Sequence, residues 1–487
     1  MIKTQLRPYQ REAVDAALQF DGFAFFSEQR TGKCLPSIAV IDHHKPDAVV
    51  IICPKKASDT WYSELKLHLE LDWSCEIYIV TYQAPVKNLR IRAYWYKWST
   101  DFVKEGNTLL VIADESHYIK KPGSAQSRFV RTLGKRAHWR LALTGTPADK
   151  GYEHYWATFD FIQNKTAFGT YEEFKERYVI YEQRERRDGR QYPVLLGYQN
   201  EDELLEIIHK YSYRITFNEA RRAMGKKPVR VHKRKVYFDL NKKSRSLYDE
   251  LERELVVTIN GLRIESPLPV TNVQKLQQIC GGFLLHQTRM PGSRKKTRVV
   301  VEVGDEKLTA LMQILSGIGT EKVVICCRFT HEIEAIRKLF DEFEWTHKEI
   351  SGSSEWDGKF DTDFVILQVK SGLGFDLSES NTYVFYSWDH SFISFEQSRF
   401  RIQNMETTVQ VNYYFLIARD TVEEEYYQAI ARKKEFAQLV LDKYRKKKDA
   451  RETDQQTEKH RKKKVPQRSG AVRKGARRIR KASEVTR

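Results

Sequence analysis

Two adjacent carboxylates at the end of an apolar run are the strongest chemical signal in the sequence. Asp114 and Glu115 follow residues 109–113 (LLVIA), a run that predicts a buried strand ending at the carboxyl edge of a sheet. Burying two acids there costs free energy unless a metal ion or proton chemistry uses them. In nucleoside triphosphate hydrolysis, Asp114 would bind Mg²⁺ and Glu115 would orient or deprotonate the attacking water. An exposed acidic loop is the alternative interpretation.

A glycine–lysine pair follows the first apolar run of the chain. Gly32 and Lys33 belong to the segment SEQRTGKC, residues 27–34, between a predicted strand and a predicted helix. A glycine there lets backbone N–H groups approach phosphates, the helix N-terminus adds positive potential, and the lysine reaches the outer phosphates. Taken alone, the pair fits an ordinary loop better than a phosphate site. Residues 144–147 (TGTP) could likewise contact a phosphate through their hydroxyls, but alone they indicate only a turn.

Short apolar runs predict the strands that would position these residues. Continuous apolar runs of this length suit strands that are covered on both faces, and therefore parallel sheets with crossover helices. Because the runs occur in two groups, the sequence predicts two α/β units. The runs are residues 23–26, 48–53, 77–80, 109–113 and 140–144 in the first group, and 322–327, 364–369, 383–386 and 411–417 in the second.

The segment between the two groups has a different character. Residues 171–305 are rich in charge and mostly helical in pattern, as in RSLYDELERELV at residues 245–256. Residues 184–196 (RERRDGRQYPVLL) predict a hairpin with Asp188 and Gly189 in the turn. This hairpin could reach across a nucleic-acid groove, although a solvated hairpin is the more ordinary interpretation.

Composition limits the class of protein. The chain has 487 residues and a net charge of +18, and its length suggests about three structural units. Residues 443–487 hold 19 basic and 5 acidic side chains, so we expect a disordered tail that binds phosphates non-specifically. A solubilising or protein-docking tail is the alternative.

The lack of targeting signals and the cysteine pattern also exclude several classes of protein. The first residues lack the apolar core of a secretory signal, and no apolar stretch approaches the roughly 18 residues that a membrane-spanning helix needs. The six cysteines are scattered without CxxC spacing, which argues against a disulfide framework or a zinc site and for a reducing compartment. We therefore expect a soluble intracellular protein with no membrane partner.

In their order along the chain, these and further motifs resemble the Swi/Snf-like branch of helicase superfamily 2. The resemblance covers residues 6 to about 441. It rests on the phosphate loop together with LRPYQREAV (6–14), VIICPKKASDTWYSEL (50–65), DESHYIKKPGSAQSR (114–128), LTGTP (143–147), KVVICCRFTHEIEAI (322–336), VKSGLGFDL (369–377) and EQSRFRI (396–402).

The resemblance implies an α/β fold with two RecA-like parallel-sheet domains, a helical insertion and a basic tail. ATP would bind together with Mg²⁺ in the cleft between the two domains. We expect the first core at residues 1–165, the inserted region at 166–300, the second core at 301–440 and the tail at 441–487.

The resemblance also assigns roles to residues of this chain, with Gln10 contacting adenine and Arg401 stabilising charge on the transferring phosphoryl group. The catalytic residues are Lys33, Asp114, Glu115 and Arg401. The ATP-binding residues are Arg7, Gln10, Arg30, Thr31, Gly32, Lys33, Cys34, His117, Gly374 and Gln397. The Mg²⁺ ligands are Asp114 and Cys34. The nucleic-acid-binding residues are Pro54, Lys55, Lys56, Thr146, Lys370 and Ser371.

One departure from the family lies beside the phosphate loop. Cys34 stands where relatives have threonine or serine, and a thiol is a softer and poorer Mg²⁺ ligand than a hydroxyl. The neighbouring Lys33 and the helix N-terminus both favour the thiolate. We therefore expect slower or oxidation-sensitive turnover. A water that replaces the hydroxyl as a ligand is the alternative.

The last motif departs from the family as well. Relatives carry two arginines three residues apart, which here fall on Arg401 and Asn404, while Arg399 is a second candidate for the catalytic arginine. Residues 386–392 (YSWDHSF) do not reproduce the family's Asp-x-x-Trp-Asn-Pro segment, which leaves its contribution to gripping nucleic acid open.

Together these features predict an ATP-dependent DNA translocase or helicase, a nucleic-acid-dependent ATPase that converts ATP to ADP and phosphate. Duplex DNA is the expected track, because related enzymes often translocate on duplex DNA without separating its strands. Two alternatives stay open: a nucleotide-switched DNA-binding or recruitment factor with weak ATPase activity, and an RNA-directed ATPase. By analogy alone, the compact chain suggests the cytoplasm of a bacterium or a phage-infected cell.

Overall fold

The computed structural model describes most of the first 432 residues. All described residues fall in the unit of residues 1–437. Every helix in the described part is too short or too polar to span a bilayer. The described residues are 1–148, 151–164, 166–185, 189–259, 262–266, 269–289, 296–319, 321–352, 354, 356–369, 375–389, 391–407 and 410–432.

The helices and strands alternate over most of the chain, as expected for an α/β protein. The helices are α1 (Pro8–Ala17), α2 (Cys34–His44), α3 (Ser58–His68), α4 (Ala84–Lys87), α5 (Leu89–Lys104), α6 (Ala125–Gly134), α7 (Glu153–Gln163), α8 (Tyr171–Tyr178), α9 (Glu201–Lys210), α10 (Phe217–Ala223), α11 (Lys242–Glu254), α12 (Pro269–Cys280), α13 (Glu306–Ile318), α14 (Thr330–Glu342) and α15 (Phe392–Arg399). The strands are β1 (Gly22–Phe25), β2 (Ala48–Cys53), β3 (Glu76–Thr81), β4 (Leu109–Asp114), β5 (Trp139–Leu143), β6 (Val179–Glu185), β7 (Gln191–Tyr198), β8 (Ser212–Tyr213), β9 (Val231–Phe238), β10 (Val256–Ile259), β11 (Leu262–Glu265), β12 (Phe283–Arg289), β13 (Lys296–Glu302), β14 (Val323–Cys327), β15 (His347–Ile350), β16 (Phe364–Gln368), β17 (Thr382–Phe385) and β18 (Val411–Ala418).

The first sheet has six parallel strands in the order β3-β2-β4-β5-β1-β8. Its central strands β2 and β4 are buried almost throughout, which explains their continuous apolar sequences. At the start of β1, a Cβ on Gly22 would lie 1.9 Å from the carbonyl oxygen of Ile162 in α7, so only glycine allows this helix to pack so closely. We call this sheet and its flanking helices the first lobe.

The second sheet also has six parallel strands, in the order β15-β16-β14-β17-β18-β9. Its inner strands β14 and β17 are fully buried. We call this sheet and its flanking helices the second lobe. The two parallel sheets confirm the predicted fold class, and all nine strands predicted from apolar runs are present. The bounds of the four predicted domains stay predictions.

The region between the two groups of strands is less helical than the sequence indicates. Helices α11 and α12 are present where the pattern predicts them, but the antiparallel pairs β10–β11 and β12–β13 accompany them. The predicted hairpin is formed by β6 and β7, while Asp188 of its turn lies outside the described residues. Strand β9 comes from this same region and pairs with β18 of the second lobe along its whole length.

An apolar cluster joins the lobes next to the cleft between them. Tyr9 of α1 is 3% exposed and belongs to the same buried cluster as Phe217 of α10 and Phe400, which follows α15. The rings of Phe217 and Phe400 lie 5.8 Å apart in an edge-to-face arrangement, a favoured geometry for aromatic pairs. The chain segments that face the cleft are therefore anchored by packing as well as by polar contacts.

Candidate functional site

The carboxyl ends of β1 and β4 bring the first predicted residues together. Because parallel strands end at one edge of a sheet, the loop after β1 and the acids after β4 meet there. Lys33, Asp114 and Glu115 line one cavity of about 260 Å³. The second lobe closes the same cavity with Gln397 and Arg401. Residues that lie 368 positions apart in the sequence, Lys33 and Arg401, thus share one cleft.

The start of α1 holds the phosphate loop in shape. The Gln10 side chain donates from Nε2 to the carbonyl oxygen of Gly32 at 3.0 Å and accepts from the Arg7 backbone N–H at 3.0 Å. The Tyr9 hydroxyl donates to the carbonyl of Thr31 at 2.8 Å. Gly32 itself has a φ of 74°, in the left-handed region that favours glycine.

The lysine of the loop faces backbone carbonyls at the cavity wall. Lys33 donates from Nζ to the carbonyl oxygens of Ser27 at 3.1 Å and Glu28 at 3.4 Å. The Thr31 hydroxyl donates to the Glu28 carbonyl at 2.8 Å. The loop is therefore organised around its own carbonyl groups, with the ammonium of Lys33 on the side of the two acids.

Asp114 and Glu115 have different surroundings although they are adjacent. Asp114 accepts a hydrogen bond at Oδ2 from the Trp61 indole at 2.9 Å, and at Oδ1 from the Glu115 backbone N–H at 2.9 Å. Burial and the negative charge of Glu115 raise the pKa of Asp114 above its usual range. Burial and like charge both disfavour the ionised form, so this carboxylate needs a compensating positive charge.

Glu115 is held by one residue from each lobe. Its Oε1 accepts from Gln397 Nε2 at 3.0 Å, and its Oε2 lies 3.1 Å from His117 Nδ1. Burial opposes ionisation, but the contacts with His117 and the charge of Lys33 outweigh it and lower the pKa of Glu115. Its backbone has a φ of 51°, a conformation that non-glycine residues adopt rarely and often at functional sites.

The hydroxyl of Thr144 links His117 to the backbone that follows β5. His117 Nδ1 lies 3.2 Å from Thr144 Oγ1, and that hydroxyl accepts from the Thr146 backbone N–H at 3.1 Å. Thr146 is buried, with only 8% of its surface exposed. Little of the Thr146 surface is therefore available for the predicted contact with nucleic acid.

Arg401 is the arginine of the last motif that faces the cavity. It is 8% exposed and donates from Nη1 to the Phe375 carbonyl at 3.0 Å, while its Nε has no partner among the described residues. Arg399, the second candidate, points elsewhere: its Nε donates to Glu396 at 2.8 Å in a buried ion pair. Although burial opposes it, the charge of Glu396 raises the pKa of Arg399.

Asn404 has a turn-forming role at the position of the family's second arginine. Its Nδ2 donates to the Ser378 hydroxyl at 2.6 Å, and its Oδ1 accepts from the Glu406 backbone N–H at 2.8 Å. Side chains that bond a backbone N–H two residues onward stabilise turns. Asn404 does not line the cavity, whereas Arg401 does.

The surroundings of Cys34 do not favour the thiolate, contrary to what its neighbours in the sequence indicate. Cys34 is half-buried at the first position of α2. Burial and the charges of Asp114 and Glu64 raise the pKa of the Cys34 thiol well above its usual range, and Lys33 only partly opposes them. The sequence reasoning counted the neighbouring cation and the helix end but neither the burial of Cys34 nor the acids that β4 and α3 bring close.

Several predicted residues lie elsewhere than their assigned roles suggest. Pro54 and Lys56, predicted to contact nucleic acid, line the cavity, and Lys55 does not, although both lysines are exposed. Burial and the charge of Arg401 lower the pKa of Lys56. Arg30 lines the cavity, but its guanidinium contacts carbonyls of the second lobe. Gly374, Lys370, Ser371 and the tail at 441–487 lie outside the described residues.

Sequence reasoning missed two side chains of the site. Trp61 donates to Asp114, and Tyr9 donates to the phosphate loop. Both lie within motifs that the sequence analysis identified, and both are largely buried, but nothing in the spacing distinguishes them from ordinary core aromatics. A polar atom at the edge of a buried ring becomes informative only when its partner is known.

Comparison with known proteins places this geometry in a family. The profile of the SNF2-related domain matches residues 19–281. The mouse protein named DNA annealing helicase and endonuclease ZRANB3 is 22% identical over 93% of this chain and 42% of its own length. The putative ATP-dependent helicase/translocase YwqA of Bacillus subtilis is 24% identical over 68% of this chain and 36% of its own length.

Two further similarities are a curated relative and a solved structure. The yeast ISWI chromatin-remodeling complex ATPase ISW2 is 22% identical over 85% of this chain and 38% of its own length. A solved SWI2/SNF2 ATPase core of Sulfolobus solfataricus, in complex with double-stranded DNA, aligns with a TM-score of 0.38 and 21% identity over 88% of this chain and 91% of that one. The chain thus spans about two fifths of the curated relatives that it matches. With a family profile that covers more than half of its residues, the chain belongs to the SNF2-related domain family.

Proposed function

We propose that this protein is an ATP-dependent DNA translocase that hydrolyses ATP in the cleft between its two lobes. The observation that carries the proposal is the hydrogen bond from Gln397 of the second lobe to Glu115 of the first, with Arg401 lining the same cavity. A site whose parts come from two lobes can couple hydrolysis to relative motion of the lobes.

The phosphate loop fits a triphosphate. Gly32 keeps the backbone free of a Cβ, and Lys33 at the start of α2 presents an ammonium beside the helix N-terminus. Phosphate oxygens are stronger acceptors for an ammonium than the two carbonyls that Lys33 now contacts. Lys33 would therefore exchange the carbonyls of Ser27 and Glu28 for phosphate oxygens when ATP binds.

The acids of the site fit Mg²⁺. The raised pKa of Asp114 shows that its buried charge is not fully compensated within the protein. No group of three or more His, Cys, Asp or Glu side chains suited to a metal occurs in the described ranges, and this agrees with Mg²⁺, which usually takes one or two carboxylates together with substrate phosphates. Asp114 would hold the ion, while the thiol of Cys34 would contribute little. Bound Mg²⁺ would neutralise charge on the phosphates.

Glu115 and Arg401 have separate roles in the proposed hydrolysis. The lowered pKa of Glu115 keeps it ionised, and its contacts with Gln397 and His117 orient it at the cavity. We assign it to orienting and deprotonating the attacking water. The free Nε of Arg401 lies at the cavity wall, and we assign its guanidinium to stabilising charge on the transferring phosphoryl group.

A surface of the first lobe supports a nucleic-acid partner. Residues 77–100 and 116–148 contain eleven lysines and arginines and no acidic residue. They include α4, α6 and α5 without its last four residues, among which is Asp101. Helices α5 and α6 meet where the Tyr96 and Phe129 rings stack at 5.8 Å. We call the following side chains the cationic face, and among the described residues none of them has an acidic partner: Lys87, Arg90, Arg92, Lys97, Lys121, Arg128, Lys135 and Arg136.

Unpaired cations on adjacent helices favour an anionic polymer as the partner. The names of the relatives favour DNA over RNA, since they include a DNA annealing helicase and a putative helicase/translocase. Because the chain spans only part of each relative, nuclease and chromatin activities are not included in the proposal. Duplex DNA is the preferred track.

ATP hydrolysis measured with four polymer conditions tests the proposal. The full chain is assayed without polymer and with duplex DNA, single-stranded DNA or RNA, and Glu115→Gln serves as the inactive control. We expect strong stimulation by duplex DNA, loss of turnover in Glu115→Gln, and loss on chelation of Mg²⁺. Stimulation by RNA alone would favour an RNA-directed ATPase. Nucleotide-dependent DNA binding without hydrolysis would favour a nucleotide-switched binding factor. The thiol of Cys34, a poor Mg²⁺ ligand, would then help to explain the weak ATPase activity.

A further inference from the structure

Arg30 occupies a costly backbone position in the phosphate loop. Its φ of 64° lies in the left-handed region, which glycine adopts freely and an arginine does not. Arg30 lies in a turn between β1 and α2, and non-glycine residues held in such conformations cluster at active sites and ligand clamps. The contacts of the Arg30 side chain, which a glycine would lack, are therefore the informative feature of this position.

The Arg30 guanidinium reaches across the cleft to the second lobe. Its Nη2 donates to the Phe375 carbonyl at 2.6 Å and to the Arg401 carbonyl at 3.4 Å, and its Nε donates to the Phe400 carbonyl at 3.2 Å. Its Nη2 also lies 3.6 Å from Oδ1 of Asp376. One side chain of the phosphate loop thus contacts two separate segments of the second lobe.

These two segments are the ones that hold Arg401. The Leu377 backbone N–H donates to the Arg401 carbonyl at 2.9 Å, and Arg401 donates from Nη1 to the Phe375 carbonyl at 3.0 Å. Arg30 and Arg401 therefore donate to the same carbonyl oxygen. Two guanidinium groups that share one acceptor are fixed relative to each other, and their mutual repulsion is offset by the carbonyls and by Asp376.

We propose that Arg30 is a positioning residue, which ties the phosphate loop to residues 375–376 and 400–401 and thereby places Arg401 against the reacting phosphate. The inference rests on the proposed function of the cleft and goes beyond it, since it assigns Arg30 to the second lobe rather than to the nucleotide. Both donors that Arg30 directs into the interface, Nε and Nη2, are engaged by second-lobe groups. Positioning of a catalytic group to within a fraction of an ångström affects rate more than binding.

The substitution Arg30→Gly in the full chain is the sharpest test. Glycine accepts a φ of 64° without strain, so this variant removes the bridge without disturbing the loop backbone. Asn164→Gly is the matched control, because Asn164 also has a positive φ, 45°, at the end of α7 in the first lobe. We expect Arg30→Gly to lower kcat by about 10- to 100-fold, to change the Kd for ATP by less than about twofold, and to melt no lower than the control.

A double-mutant cycle separates positioning from an independent structural defect. If Arg30 acts through Arg401, the double variant Arg30→Gly, Arg401→Ala will turn over no more slowly than Arg401→Ala alone. Two independent defects would multiply. Arg30→Lys is expected to behave like Arg30→Gly, because one ammonium cannot reach both segments in the guanidinium's geometry.

A measurement without turnover completes the test. Dyes attached to each lobe report the distance between lobes in the absence of nucleotide, and we expect a larger distance in Arg30→Gly than in Asn164→Gly. An unchanged distance, an unchanged kcat, or an ATP affinity that falls by the same factor as kcat would each overturn the inference, the last by making Arg30 a phosphate ligand. If the wild-type chain hydrolyses no ATP under any polymer condition, the proposed function fails, and the distance measurement alone decides the role of Arg30.

Discussion

Gln397 of the second lobe donates a hydrogen bond from Nε2 to Oε1 of Glu115 in the first lobe at 3.0 Å. The bond joins the residue assigned to water activation to the helix that leads to Arg401, since Gln397 lies in α15. Closure of the cleft therefore adds a second contact that orients Glu115. Opening the lobes would leave the carboxylate with His117 alone, and we expect hydrolysis to be slower in that state.

Gln397→Ala should slow hydrolysis without removing it. A hydrogen bond to a charged group contributes about 1.5–3 kcal/mol, and each 1.4 kcal/mol corresponds to about a tenfold change in rate. We expect kcat to fall roughly 10- to 100-fold under single-turnover conditions, with His117 still holding the other oxygen of Glu115. A kcat equal to that of the wild type would show that the contact does not order Glu115.

Arg401→Ala and Arg399→Ala should fail in different ways. Arg401 lines the cavity, so its loss should reduce hydrolysis by about 10³-fold or more while ATP binding stays measurable. Arg399 forms a buried pair with Glu396, and removing one partner of a buried pair costs about 3–5 kcal/mol of stability. Arg399→Ala should therefore lower the melting temperature. Normal turnover in Arg401→Ala would return Arg399 to consideration as the catalytic arginine.

The apolar strands of both lobes were predictable because their cause is local. Strands β2 and β14 are buried on both faces, and burial of this kind requires continuous apolar sequence. The positions of the phosphate loop and of the acids follow from these strands, since parallel strands end at one edge. The first-lobe half of the site could therefore be inferred with residue numbers.

Features that depend on distant partners were not predictable from the sequence. Strand β9 reads VHKRKVYF and is mostly exposed, because it lies at the edge of the second sheet and needs no apolar run. Its partner β18 lies about 180 residues further along the chain. The raised pKa of the Cys34 thiol has a similar origin, since burial in the fold and the acids of β4 and α3 cause it. The residues that adjoin β9 and Cys34 in the sequence do not indicate these distant partners.

Cys34→Thr should leave the response to oxidants unchanged. The raised pKa of Cys34 keeps it a thiol at neutral pH, and thiols react far more slowly with peroxide than thiolates do. We expect the ATPase rate of the wild type to survive brief exposure to peroxide at pH 7 as well as that of Cys34→Thr. Mass spectrometry of Cys34 provides the direct measurement. Rapid oxidation of Cys34, with loss of activity in the wild type alone, would contradict this expectation.

His44 should make the stability of the first lobe depend on pH. Its ring stacks on Trp139 with centroids 4.3 Å apart, and burial together with the charge of His43 lowers the pKa of His44 from 6.5 to about 4. Between these values the unfolded chain binds the proton and the folded chain does not, so stability falls as pH falls from 6.5 to 4. His44→Phe keeps the stacked ring and should lack this contribution, which we put at about 1–2 kcal/mol because the group is half exposed.

Denaturant unfolding of both proteins at several pH values measures that difference. Other groups titrate in the same range, so the informative quantity is the difference in unfolding free energy between the wild type and His44→Phe. This difference should be constant above pH 7 and should change in favour of the variant as the pH approaches 4. Two curves that remain parallel from pH 7 to 4 would show that His44 does not contribute.

Charge reversal on the cationic face should weaken DNA binding without slowing basal ATP hydrolysis. Arg90 and Lys97 lie on the exposed side of α5, outside the ATP cavity. Each phosphate contact that is lost reduces the slope of log K against log salt by about 0.9 on duplex DNA. We expect Arg90→Glu, Lys97→Glu to lower duplex affinity at least tenfold and to reduce the slope by about 2, as measured by fluorescence anisotropy at several salt concentrations.

The control for this prediction is Lys243→Glu, an exposed charge reversal at the start of α11 on the second lobe. If general electrostatic attraction of a basic protein accounts for binding, this variant will lose affinity per unit charge as strongly as the α5 variant does. If the cationic face is a binding surface, the α5 variant will lose more affinity per unit charge, and DNA-stimulated turnover will require a higher DNA concentration. The loss per unit charge distinguishes the two cases, because a lost phosphate contact affects only the binding surface whereas a change in net charge acts at long range wherever it is placed.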